Sequence, residues 1–501
     1  MKFVILILAA VLAAAPLQAQ GPAPVVLSLQ DALARAEAAS PNVGIARAGV
    51  TSARADWLRA RSAALPQLSG SVTYTRTLAS QFSGLFGNST NDSFPAPTNC
   101  GQFHPNPTLP LGERLDSLER GLDCTANASP FDFSKSPFGQ KNTWNFGLSG
   151  SQALFDAKIP GQMSAARAGQ DRADVELASQ RTAAMLDVAQ AYLDVQLAER
   201  LLDIADSTLA QAQRTFDQTR LARQVGNVAE FDQLRATVAR DNLNPVVIQR
   251  RAQRDQALLR LRQLLDLPPQ APLRLITPLG DTAAVPPPLA PQFAVVPDTS
   301  IAERAPVREA QASLRASEGQ VSSARAARLP TLSLSSTYAK IDFPSHVFSF
   351  DNFLTDWSVN VRMDVPIFTG GRTLANTLTA EAGREQSAMR VKQAEQQAAR
   401  DVQDVVLLMA SAQAVWDAVR GTVDLATRAY TIAELRYRTG ISTLTELGDA
   451  RNQLGQAEAN RAQAAHDFQI ARIRVVLLRD LPFGAPILMP AASAVAAPGN
   501  E

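Results

Sequence analysis

Between Val402 and Asp449, large and small residues alternate at spacings of three and four. Val402, Met409, Trp416, Val423, Tyr430 and Tyr437 recur every seventh position, with Val405, Ala412, Val419, Ala426 and Ala433 between them. Such a seam belongs to a long helix packed along its length against another. The pattern runs into Gly440, a turn through Ile441, Ser442 and Thr443, and then Glu446 and Asp449. A second copy lies 214 positions earlier: Val188, Val195, Leu202, Leu209 and Phe216 against Ala191, Ala198, Ala205 and Ala212. It ends at Gly226, and Asp232 stands in the place of Glu446. A repeat of this length makes the chain two halves of one structure built on long paired helices.

Each half also carries a pair of alternating stretches. In the first, helices from Leu27 to about Ala64, interrupted at Pro41, end at Leu65-Pro66. Leu68, Gly70, Val72 and Tyr74 then alternate with Gln67, Ser69, Ser71 and Thr73, and Trp144, Phe146 and Leu148 with Asn145, Gly147 and Ser149. In the second, a helix over about Ala302 to Arg328 ends at Leu329-Pro330, followed by Leu332, Leu334 and Tyr338 on one face. Its partner runs Trp357, Val359, Val361, Met363, Val365, Ile367 against Ser358, Asn360, Arg362, Asp364. About ten alternating residues with aromatic ends suit a strand with one face on lipid and one on water. The turn Pro366-Ile-Phe-Thr-Gly-Gly371 leads into a helix expected over about Arg372 to Arg438, about 100 Å long. Leu154-Phe155-Asp156 and Pro160-Gly161 take the same place in the first half. Return helices are expected over about Ala229 to Leu265 and Glu446 to Leu478.

Tyr338 lies 264 positions after Tyr74, but Phe368 only 213 after Phe155, so the first hairpin carries a 51-residue insert. The insert, within about 77–143, is expected at the cell surface, where outer-membrane barrels place their long loops. It holds Cys100 and Cys124, the chain's two cysteines, which in an exported protein are expected to form a disulfide. Residues 268–298, with the run Val285-Pro-Pro-Pro288, read as a linker between the repeats, 20–267 and 299–484. Residues 485–501 read as a disordered tail. The N-terminus, with Lys2, the apolar run Phe3 to Ala15 and Leu17-Gln18-Ala19, reads as a signal peptide over 1–19. No cysteine follows that site, which argues against a lipid anchor there.

A net charge of +1 and a pI near 7.8 give no polyanion-binding signature, so nucleic acid is not an expected partner. No run of about 18 uncharged apolar residues follows the N-terminus, and no membrane-spanning helix is expected. His104, His346 and His466 are scattered with no i, i+4 pair, and no phosphate-binding glycine loop or Gly-x-Ser-x-Gly is present. Neither an enzyme, a metal site nor a cofactor is expected. A periplasmic coiled-coil adaptor shares the long helical hairpins but lacks paired amphipathic strands. A surface adhesin needs no two internal copies with matched turns.

Four strands cannot close a barrel, and open edges in a membrane leave backbone groups unpaired. The chain must therefore oligomerise through its edges. In this order, the signal peptide, the strand–strand–helix–helix repeat, the Pro-x-Phe-x-Gly-Gly turn and Gly440-x-x-Thr443-x-x-Glu446 resemble the TolC-type outer-membrane efflux proteins. The resemblance implies an α+β fold of mostly long helices in a periplasmic α-barrel. It also implies four transmembrane strands per protomer, closing as a trimeric 12-stranded β-barrel in the outer membrane. It implies an exit duct docked to a periplasmic adaptor and an inner-membrane transporter; small-molecule efflux is the expected use, with type I protein secretion as the alternative. A periplasmic constriction falls on Glu446 and Asp449, which share a helix face, and a closed-state helix contact on Tyr437 and Asp232. The family often has a basic residue where this chain has Ser442.

Overall fold

The computed structural model describes residues 25–78, 106–127, 142–279, 300–344, 347 and 353–484. The signal peptide, the tail and Cys100 lie outside them, as does the Cys124 side chain, so the disulfide expectation does too. The chain divides into a helical unit (1–58, 160–322, 374–501) and a strand unit (59–159, 323–373).

In the helical unit, Ser28 opens α1 (Leu29–Ala39) with a capping box, its hydroxyl accepting from the Asp31 N–H. Pro41 takes the first turn of α2 (Pro41–Ser62), where its missing N–H costs nothing. The seam of the first repeat forms α4 (Lys158–Gln224), 67 residues and about 100 Å long. Val188, Ala191 and Val195 are at most 2 % exposed. With them pack Leu29, Leu33, Leu261, Ile470, Ile473 and Leu477. Tyr192 is fully buried, and its hydroxyl donates to the Leu27 carbonyl at 3.0 Å and accepts from the Thr277 N–H at 3.2 Å. It thereby fastens a two-stranded parallel sheet, β1 (Val25–Leu27) and β4 (Leu273–Leu275), onto the helices.

β4 sits inside 268–298, the stretch expected to link the repeats. Three residues are too few to show alternation. The long helices are also less continuous than expected. The return helix is split into α5 (Glu230–Asp241) and α6 (Leu243–Leu264). The break at Asn242 stands ahead of Pro245, whose ring clashes with the fourth carbonyl before it. The second long helix is split into α8 (Arg372–Val419) and α9 (Thr422–Arg438) around Gly421. The return helix α10 (Leu444–Leu477) is unbroken, and α7 covers Ala305–Ala326. One window within Arg372–Arg438 is long and apolar enough, by length and composition, to pass for a membrane span. This was not expected, and it reflects an apolar seam enriched by Val, Leu, Met and Ala between 402 and 419.

In α7, Gly319 lies against α4 so closely that a Cβ would stand 2.6 Å from the Ala165 nitrogen and 2.7 Å from the Gly161 carbonyl oxygen. Those atoms are backbone and cannot rotate away. Gly319→Ala is therefore expected to destabilise the protein by about 1–3 kcal/mol through overpacking. Gly383→Ala on α8, with nothing within 4 Å of its Cβ position, is expected to gain up to about 1 kcal/mol of helix propensity. Chemical denaturation followed by helical circular dichroism would show the opposite signs. Equal effects would refute the close-contact reading.

In the strand unit, β2 (Gln67–Arg76), β3 (Asn142–Phe155), β5 (Thr331–Asp342) and β6 (Leu354–Asp364) form one antiparallel sheet in the order β2-β3-β5-β6. The register gathers like with like. Leu68, Val72 and Tyr74 share a face with Phe146, Leu148, Leu334, Tyr338, Trp357, Val359, Val361 and Met363. Ser69, Ser71 and Thr73 share the other with Ser149, Ser335, Thr337, Ser358 and Asn360. Much of the apolar face is bare, Leu68 being 73 % exposed and Trp357 71 %, while Phe146 meets Phe353 at 5.8 Å between centroids. Aromatic rings collect towards one end of it, Tyr74 and Trp144 at 5.0 Å and Tyr338 and Trp357 at 6.4 Å between centroids. Their polar tips are satisfied: the Trp144 indole donates to the Val347 carbonyl at 2.7 Å, and the Trp357 indole to Ser336 at 3.1 Å. The insert also contains a helix, α3 (Leu111–Asn127), that its Asn, Pro, Ser and Gly content conceals.

Candidate functional site

Both helix hairpins turn in the same way. Gly226 and Gly440 have φ of 78° and 77°, a left-handed conformation that L side chains resist. In each, the next residue's N–H reaches back five positions, Asn227 to Ala222 at 2.9 Å and Ile441 to Arg436 at 2.8 Å. The glycine N–H bonds three back, to Arg223 and Tyr437. This double closure is a Schellman motif, which satisfies the last carbonyls of a helix. The repeat inferred from spacing is thus a repeat of hydrogen bonds.

After Gly440, Thr443 caps α10, its hydroxyl accepting from the Glu446 N–H at 3.3 Å. Glu446 then falls in the first turn, where a carboxylate complements the helix dipole. Glu446 and Asp449 are both exposed and lie three apart on one face. Neither has an ion-pair partner among the described residues. In the first repeat, Asp232 is half-buried in the first turn of α5, and Arg235 stands where Asp449 does. Arg223 crosses the turn to Glu230 at 3.0 Å.

Behind the tip, Tyr430, Leu447 and Leu454 form a small core with Ala426, Ala433 and Tyr437 against it. Burial and the Glu434 charge push the Tyr430 phenol up, opposed by Arg214. The Tyr437 hydroxyl lies 2.9 Å from the Thr219 hydroxyl on α4, joining the two repeats. Among the described residues Asp232 makes no hydrogen bond or ion pair, with Tyr437 or with any other side chain. The Ser442 hydroxyl is buried and unpartnered among the described residues.

The strongest charge constellation lies further along α10, and sequence reasoning passed over it. His466 is 4 % exposed, and its two ring nitrogens lie 2.9 Å from Asp194 on α4 and 2.9 Å from its neighbour Asp467. Burial alone lowers the imidazole pKa, but hydrogen bonds and charge from the two carboxylates outweigh it and raise it to about 9. His466 is therefore an imidazolium at neutral pH, and a bolt between repeats. A second buried cation, Arg304 at the head of α7, donates to Asp401 at 3.5 Å and to the Leu481 carbonyl at 3.4 Å. Burial lowers its pKa and raises that of Asp401. Among the described residues no cluster of three or more His, Cys, Asp or Glu could hold a metal ion.

Residues 121–266 and 296–478, most of both repeats, match the family model described as outer membrane efflux protein. The chain belongs to the outer membrane efflux protein family. Membership places it in the outer membrane. It is 26 % identical over 284 residues to a toluene efflux pump outer membrane protein, TtgF, of Pseudomonas putida, covering 56 % of this chain and 57 % of that one. It is 29 % identical over 229 residues to the cation efflux system protein CusC of Escherichia coli, covering 45 % and 48 %. The chain thus spans only about half the length of these relatives. In fold it is similar to a crystal structure of CusC (TM-score 0.66, 20 % identity, covering 90 % of this chain and 91 % of that one). It is likewise similar to the outer membrane protein VceC of Vibrio cholerae (TM-score 0.64, 17 % identity, 89 % and 95 %).

Proposed function

We propose that this outer membrane efflux family member is the passive exit duct of a tripartite efflux system, working with a periplasmic adaptor and an inner-membrane transporter. The observation that carries this reading is the four-stranded sheet. Its apolar face is largely uncovered, its opposite face is lined with Ser, Thr and Asn, and β2 and β6 each pair on one side only among the described residues. In hydrocarbon each unsatisfied backbone group costs several kcal/mol. The free edges must meet those of other copies, and three copies give twelve strands around an aqueous lumen. Glu446 and Asp449, three residues apart on one helix face after the Gly440 turn, form a six-carboxylate constriction in that trimer. Tyr437, through Thr219, and Asp232 belong to the contacts that hold it closed. Efflux of small solutes is supported by relatives named for toluene and for cations.

The test is conductance. Purified protein, with its mass measured by light scattering in detergent, is added to a planar bilayer. The expected result is a trimer giving small, cation-selective single-channel steps. Folded trimer without any conductance would refute the duct.

A further inference from the structure

The insert between β2 and β3 holds an element that the duct reading leaves idle. On α3, Leu111, Leu115, Leu118 and Leu122 follow one another at spacings of four, three and four. That is the spacing of alternating d and a positions, a seam fitted to another helix. These leucines stand 72, 55, 40 and 59 % exposed. With Leu111 at d, Arg114 falls at g and Glu119 at e. Both are exposed, and neither has an ion-pair partner among the described residues.

Those two charges choose the partner. In a parallel coiled coil, a g residue faces the e residue five positions on in the next helix, so Arg114 of one copy meets Glu119 of another. In an antiparallel pair g faces g and e faces e, which sets arginine against arginine and glutamate against glutamate. The sequence of α3 therefore complements a parallel copy of itself. Copies related by a rotation axis along a barrel present like segments in parallel, and cyclic symmetry supplies such copies. The 14 residues between Asn127 and Asn142 can span up to about 50 Å, ample tether for the helix to reach a central axis.

Resting on the trimeric reading above, we propose that the α3 helices of three copies join in a parallel coiled coil at the outer end of the strand barrel. Leu111, Leu115, Leu118 and Leu122 face inward and Arg114–Glu119 pairs run between copies. The bundle stands across the path of solutes leaving the duct, a constriction separate from Glu446 and Asp449.

The experiment places a photo-crosslinking benzophenone side chain at position 118, on the seam, or at position 116, off it, in the full-length protein in detergent. Light scattering first establishes the mass. Illumination is expected to give covalent dimers and trimers from position 118 and several-fold less from 116. Arg114→Glu is expected to cut the position-118 yield several-fold, and Arg114→Glu with Glu119→Arg to restore it. Trimeric protein whose position 118 links only within its own chain or to detergent would overturn the coiled coil while leaving the duct. Protein that is not trimeric would overturn both.

Discussion

His466→Leu is expected to lower unfolding stability by about 3 kcal/mol, the lower end of the range for breaking a buried ion pair. The imidazolium is 4 % exposed and bonded on both nitrogens. The leucine fills the space but leaves Asp194 and Asp467 facing an apolar group. Their side chains are 30 % and 32 % exposed, so water relieves part of the loss and the upper end is not reached. The wild-type bond also has a pH signature. The folded-state pKa lies near 9, above the ordinary 6.5. The group's contribution is therefore complete below about pH 6.5 and lost as pH rises through 9. A shift from 6.5 to about 9 corresponds to between about 3 and 4 kcal/mol at 1.36 kcal/mol per unit. Unfolding measured from pH 6 to 10 for wild type and variant should give a difference that shrinks towards the alkaline end. A difference flat across that window would mean that His466 is neutral in the fold.

The long seam and both turns were legible because their causes are local. Val188, Ala191 and Val195 declare a buried face by spacing alone, and Gly226 and Gly440 declare a left-handed residue by having no Cβ. The strand faces were legible for the same reason, since alternation at Leu68–Tyr74 and Trp357–Met363 fixes which side chains share a face. What failed to show depends on distant partners. His466 looked like one of three scattered histidines because Asp194 lies 272 positions away. Its sign was a histidine beside an aspartate amid Ala462, Ala465, Ile470 and Ala471, a place where a lone polar group would be costly. Tyr437 is expected at an inter-helix contact, but the Thr219 hydroxyl that meets its own lies 218 positions off, and no local spacing names it. Gly421 did carry a local signal, an isolated glycine in a helical pattern, which the continuous seam on either side masked.

Glu446→Ala with Asp449→Ala is expected to abolish most of the channel's preference for cations and to raise its conductance. In the proposed trimer three copies bring six carboxylates to one ring, and a constriction lined by one sign of charge concentrates counter-ions about tenfold or more. Removing them should reduce the cation-to-anion permeability ratio about tenfold at 0.1 M salt, where the screening length is about 10 Å. At 1 M salt it falls to about 3 Å, and wild type and variant should converge. Shorter side chains also widen the opening, so conductance rises at both salt concentrations. The two changes separate the causes: a selectivity effect that fades with salt is charge, and a conductance effect that persists is width. The exposed positions of Glu446 and Asp449, with neither side chain in the Tyr430–Leu447 core, leave the helix free to fold with alanine at both. An unchanged permeability ratio in folded, conducting trimers would place the constriction elsewhere on the helix tips, with the half-buried Asp232 of the first repeat as the next carboxylate to replace.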